Sequence, residues 1–110
     1  MSKLSVWVIS FLIASGSQAN DSFNLYLDAD FSVHKESGNS IKNGIETAIE
    51  YFFKENPKAN FKVTLKPVDH RGNTRRSLAN FKKVLKDPKA IAIFGGLHSP
   101  PLITNNAFIN

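Results

Sequence analysis

Three features of this 110-residue sequence predict an α/β fold built on a parallel sheet. Strand-like and helix-like periods alternate from Phe23 onward, the signature of strands joined by helical crossovers. The run Ala90–Phe94 is continuously apolar, as in a strand covered on both faces. Gly95-Gly96 closes that run, and Ser99-Pro100 then offers a helix cap followed by proline at the first helical position.

The elements follow in order. Phe23, Leu25 and Leu27 share one face of a first strand, Phe23–Leu27. Asp28–Asn39 is polar, contains Gly38 and reads as a loop, with Ser40 as the cap of the next helix. Ile41, Gly44, Ile45, Ala48, Ile49, Phe52 and Phe53 recur at spacings of three and four, an amphipathic helix that Asn56-Pro57 ends. Phe61–Lys66 alternates apolar and polar residues; its outward lysines and Pro67 mark an edge strand. Val68–Asn73 reads as a turn. Thr74 is the expected cap of a second helix that buries Leu78, Phe81, Val84 and Leu85 and stops at Asp87-Pro88. Ala90–Phe94 is expected in the sheet interior. Right-handed crossovers place both helices against the sheet.

The N-terminus carries a different signal. Lys3 precedes the apolar run Leu4–Ala14, and Ser17 and Ala19 form a small-x-small cleavage site, the organisation of a secretory signal peptide. A helix of that run rises roughly 16 Å, about half a bilayer's hydrocarbon thickness, so it does not span. Residues 1–19 are therefore expected to be removed. Residues 20–110 would then act in a periplasm-like space, without insertion into the membrane. There is no cysteine, hence no disulfide and no lipid-modified residue at the cleavage site. The net charge of +5 comes from dispersed lysines with no basic block interleaved with aromatics, which argues for solvated faces and against nucleic acid. Leu102–Ile109 begins a helical pattern that meets no fourth strand, so the sequence is expected to be the start of a longer lobe.

In an open parallel sheet, ligands bind beyond the carboxyl ends of the strands. Three segments meet there: Asp28–Ser32, Asp69–Asn73 and Gly95–Ser99. Ser99 at a helix N-terminus suits a carboxylate, or serves as an N-cap, and one residue can do both. His98 is a ligand contact or general base, or else a loop residue. Asp28 and Asp30 flank one residue and form either a carboxylate pair or a solvated, helix-facing set, the second being favoured. Asp69 beside Gly72 and Asn73 reads as a turn-forming acceptor. Enzyme signatures are weak: Gly96-Leu97-His98-Ser99 is not a nucleophile elbow, the glycines make no phosphate loop, and no histidine–cysteine spacing matches zinc. No catalysis and no cofactor are expected.

The segments Ser40–Glu50, Val63–Asn73 and Ile91–Ser99, in this order behind a signal peptide, resemble the start of a type I periplasmic substrate-binding protein, the leucine/isoleucine/valine-binding family of ABC importers. The resemblance covers nearly all of residues 20–110. It implies an incomplete three-layer, Rossmann-like lobe of a two-lobed protein that closes on a solute and delivers it to a membrane permease. By resemblance, Ser99 matches the serine that helps hold the ligand's carboxylate, with His98 beside it. The loop after the first strand lines the cleft mouth, adding Asp30, Phe31 and Ser32. Two departures point away from a plain branched-chain amino acid and toward another amino acid, an amide or a different small solute. Asp28-Ala29-Asp30 stands where a small apolar, glycine-rich loop is usual, and Pro100-Pro101 lacks two backbone N–H donors. A sensory or receptor domain on the same fold is the alternative.

Overall fold

The computed structural model describes residues 21–95 and 98–109; the proposed signal peptide, Asn20, Gly96, Leu97 and Asn110 lie outside the described residues. The chain runs β1 (Asp21–Ala29), α1 (Lys35–Glu55), β2 (Phe61–Asp69), α2 (Thr74–Val84), β3 (Ala90–Gly95) and α3 (Ser99–Ile109). The three strands form one parallel sheet in the order β2-β1-β3. From β1 the chain crosses to β2 on one side, then returns past β1 to β3 on the other. Right-handed crossovers in opposite directions put α1 and α2 on opposite faces, and the contacts agree. Leu25 on β1 faces α1 across an apolar groove, whereas Asp28 bonds to Ser77 and Asn80 on α2. The small α/β architecture is thus as the sequence predicts. No described helix is long and apolar enough to cross a membrane.

The order corrects one expectation. β3 lies at the edge of the three-stranded sheet, and β1 takes the centre. A continuous apolar run reports what covers a strand's faces, not which strands flank it. Even the faces of β3 are open, with Ile91 56% and Phe94 44% exposed. β2 lies at an edge as expected, and Pro67 stays within it, paired in register with Leu27.

The core is small. Leu27 and Ala29, on the same face of β1 as Leu25, are fully buried, and Phe81 and Val84 on α2 are buried on the other side of the sheet. Leu85, expected in that set, is exposed just past the last turn of α2. On the α1 side, Phe23, Phe52, Phe53 and Phe61 meet ring to ring at centroid distances of 5.3–6.0 Å. Beside them Ile41, Ile45 and Ile49 face Leu25, Val63 and Phe94 across an open apolar groove of about 580 Å³.

Two helix starts differ from expectation. α1 begins at Lys35, within the expected loop, and Ser40 caps nothing. Gly38 lies buried in its first turn, where an added Cβ would stand 2.6 Å from the Asp30 carbonyl oxygen and 3.1 Å from Phe31 Cδ1. The glycine lets the helix approach β1's end closely rather than marking a loop. α2 is capped by Asn73, one residue before the expected Thr74; its side chain accepts from the Arg76 N–H at 3.0 Å.

Candidate functional site

The sequence β2-β1-β3 reverses direction at β1, and the carboxyl ends of β1 and β3 flank that switch point. A cavity of about 260 Å³ opens there, lined by residues that include Asp28, His70, Ser77, His98, Ser99 and Asn105. Of the residues the sequence singled out for a ligand, His98 and Ser99 line the cavity. Phe31 and Ser32 do not line it, and neither does Asp30. These three residues tie the β1 end to its neighbours instead.

Asp28 and Asp30 are both buried and do not act as a pair. Alternation along β1 sends Asn24, Tyr26 and Asp28 to the α2 face. There Asn80 Nδ2 donates to Asp28 Oδ1 at 2.7 Å, and the Ser77 hydroxyl donates to Asp28 Oδ2. Because Ser77 spends its hydrogen on the carboxylate, it can only accept from Asn105, whose Nδ2 stands 2.7 Å away. That fixes the orientation of the Asn105 amide. Its Oδ1 is left buried with no hydrogen-bond partner, on a residue that lines the cavity. An unpaired buried acceptor is costly unless a donor is supplied. Asn24 and Tyr26 both donate to Asp87 Oδ2 at 2.7 Å.

Asp30 organises the turn into α1. Its Oδ1 accepts from the N–H groups of Ser32 and Val33 at 3.1 and 2.8 Å. Its Oδ2 meets His34 Nδ1 at 2.9 Å and lies 3.6 Å from His98 Nε2. Asp69 makes the expected turn bond to Arg71 N–H at 2.9 Å. It also accepts from Phe31 N–H at 3.0 Å and from the Ser32 hydroxyl, clamping the β1 and β2 ends together.

The sequence spacing offered no metal signature, yet the fold gathers all three histidines of the chain. The His98 ring lies 5.1 Å from that of His34 and 5.5 Å from that of His70, both edge-on. Parallel placement of β1, β2 and β3 brings the residues following each strand to one rim. No local pattern could report that, since His34 and His98 lie in different crossover units. The missed buried polar set of Asn24, Asp28, Ser77 and Asn105 left a weak signal: polar residues at alternate positions of an otherwise apolar β1.

The carboxylates carry a pH consequence. Burial works to raise the pKa of Asp30, but bonds from His34 and from the N–H groups of Val33, Ser32 and His34 outweigh it and hold it well below the usual range. Burial likewise acts to raise the pKa of Asp69, but bonds from the Ser32 hydroxyl and the Phe31 and Arg71 N–H groups outweigh it and leave it lowered. Asp87 is lowered to about 2 by bonds from Asn24, the Lys89 N–H and Tyr26. A carboxyl whose folded pKa lies below its unfolded value of about 3.9 stabilises the fold above that value and loses the contribution as pH falls toward the folded pKa. The urea midpoint should therefore fall steeply between about pH 4 and pH 2. A midpoint flat across that window would show these bonds to be absent in solution.

Comparison with protein-family models, with curated proteins and with solved structures finds no match for the chain.

Proposed function

We propose that this chain belongs to a periplasmic solute-binding component of an ABC importer. It would take up an amino acid or similar small polar solute without catalysis and present it to a membrane permease. The observation that carries the reading is the cavity at the carboxyl ends of β1 and β3, with the unpaired Asn105 Oδ1 on its wall. That acceptor calls for a donor on the ligand, an ammonium or an amide. Ser99 at the start of α3 supplies the complementary end: its hydroxyl and the helix dipole favour a carboxylate, although Pro100 and Pro101 add no N–H donors there. A zwitterionic solute satisfies both. The cavity lies just below the roughly 300 Å³ at which sites for drug-sized ligands begin, so it suits a small guest. The half-open faces of β3 fit a lobe in which further chain packs over them.

The type I binding-protein reading rests on motif order, and the signal-like segment supports export. The test is calorimetry with a panel of amino acids and their amides. Losing a hydrogen bond to a charged ligand group costs roughly 1.5–3 kcal/mol, so Ser99→Ala should weaken binding of the best ligand about tenfold or more. Unchanged affinity removes Ser99 from the site.

A further inference from the structure

We propose that Asp30, His34 and His98 form a binding site for a divalent transition-metal ion, zinc or a close neighbour, at the rim where β1 and β3 end. The site goes beyond the solute-capture reading and stands or falls separately from it.

One oxygen of each set does a different job. Asp30 Oδ1 is anchored by two backbone N–H groups, which fixes the carboxylate's orientation. Oδ2 is thereby presented to two imidazoles, His34 Nδ1 at 2.9 Å and His98 Nε2 at 3.6 Å. Carboxylates and histidines that bind metals are commonly held in this way by bonds to the atoms that do not coordinate. The three donor atoms lie within 4.8 Å of one another. Ligands about 2.0–2.1 Å from a tetrahedral zinc stand about 3.3 Å apart, so small movements close the set. His34 is the residue free to make them, because its side chain is 55% exposed.

A second observation points to a ligand. His98 Nε2 is buried and makes no hydrogen bond. A hydrogen bond to Asp30 accounts for His34 alone and leaves that nitrogen with only a 3.6 Å approach to the same carboxylate oxygen. A cation between the three groups would satisfy it and would neutralise the buried carboxylate. His70 stays outside the set: its Nδ1 already accepts from the Gly72 N–H at 2.9 Å. Two imidazoles and a carboxylate suit zinc, nickel or copper rather than calcium or magnesium, which prefer all-oxygen shells. Three protein ligands leave coordination open to water or to a solute.

The test uses the full chain, purified without a polyhistidine tag, stripped with chelator and titrated with zinc chloride and cobalt chloride alone. One ion per chain should bind. Cobalt should give the intense visible bands of a four-coordinate centre, and X-ray absorption at zinc should show imidazole ligation. His34→Ala, an exposed change that leaves the fold intact by circular dichroism, should weaken binding at least tenfold, and His98→Ala should do the same. Absence of stoichiometric binding overturns the proposal, as does affinity unchanged in both variants. Since no solute is present, failure here leaves the solute-capture reading untouched, and failure of Ser99→Ala to affect a solute leaves this site untouched.

Discussion

Asp28→Ala is expected to lower the stability of the chain by about 3 kcal/mol, a third or more of the total for a domain of ordinary stability. Asp28 is 2% exposed and accepts from both Ser77 and Asn80 on α2. Alanine removes both acceptors at once. Ser77 is fully buried, and the Asp28 carboxylate is the acceptor for its hydroxyl hydrogen. Leaving a buried donor unsatisfied costs about 1–3 kcal/mol, well above the net worth of an ordinary hydrogen bond. Asp28→Asn keeps the volume and the acceptor facing Asn80 but turns a donor toward Ser77, so about half the loss should remain. Urea unfolding of the three proteins reads this directly. A loss below about 0.5 kcal/mol for Asp28→Ala would mean that α2 does not rest on this carboxylate.

Asn105→Leu is expected to split folding from binding. Leucine has the same branching with bulkier methyl groups, which the adjoining cavity can take up, and it removes the buried acceptor that lacks a partner. Ser77 loses the bond from Asn105 Nδ2 but keeps its own hydrogen on Asp28. The fold should therefore change by less than about 1 kcal/mol, since one unmet need vanishes as another appears. Solute affinity should fall by about 10- to 100-fold, because the ligand's donor would meet a methyl group. A variant that loses stability and affinity together would assign Asn105 to the fold alone. One that keeps both would take the amide out of the cavity wall.

The particular residues show what a sequence can and cannot disclose. Alternation in Phe61–Leu65 and the three- and four-residue spacing of Ile41, Ile45 and Ile49 are local, and they predict that β2 and α1 exist, but not that α1 starts at Lys35 or that β2 runs on to Asp69. Gly38 misleads because its role is a contact with the Asp30 carbonyl, eight residues back, that no period encodes. Asp30 then takes over the helix-start role expected of Ser40, through bonds to three successive N–H groups. The edge position of β3 depends on the direction of the second crossover, and apolar composition is silent on direction. At the site, Ser99 and His98 were legible because they follow a strand and open a helix. Asp30, Phe31 and Ser32 follow the end of β1, but their polar groups bond to Asp69 and His34 and do not line the cavity. Asn105 and the gathering of the histidines were not legible, because each depends on which helix packs over which strand.

The central claim is that the carboxyl ends of β1 and β3 hold a small polar solute. The most direct measurement is titration of the ¹⁵N-labelled chain with the amino-acid and amide panel, following backbone amide shifts. Saturable shifts confined to Asp28, His70, Ser77 and the His98–Asn105 segment, with the Ile41–Phe53 groove undisturbed, are the predicted result. Shifts centred on that groove, or none with any member of the panel, would contradict it.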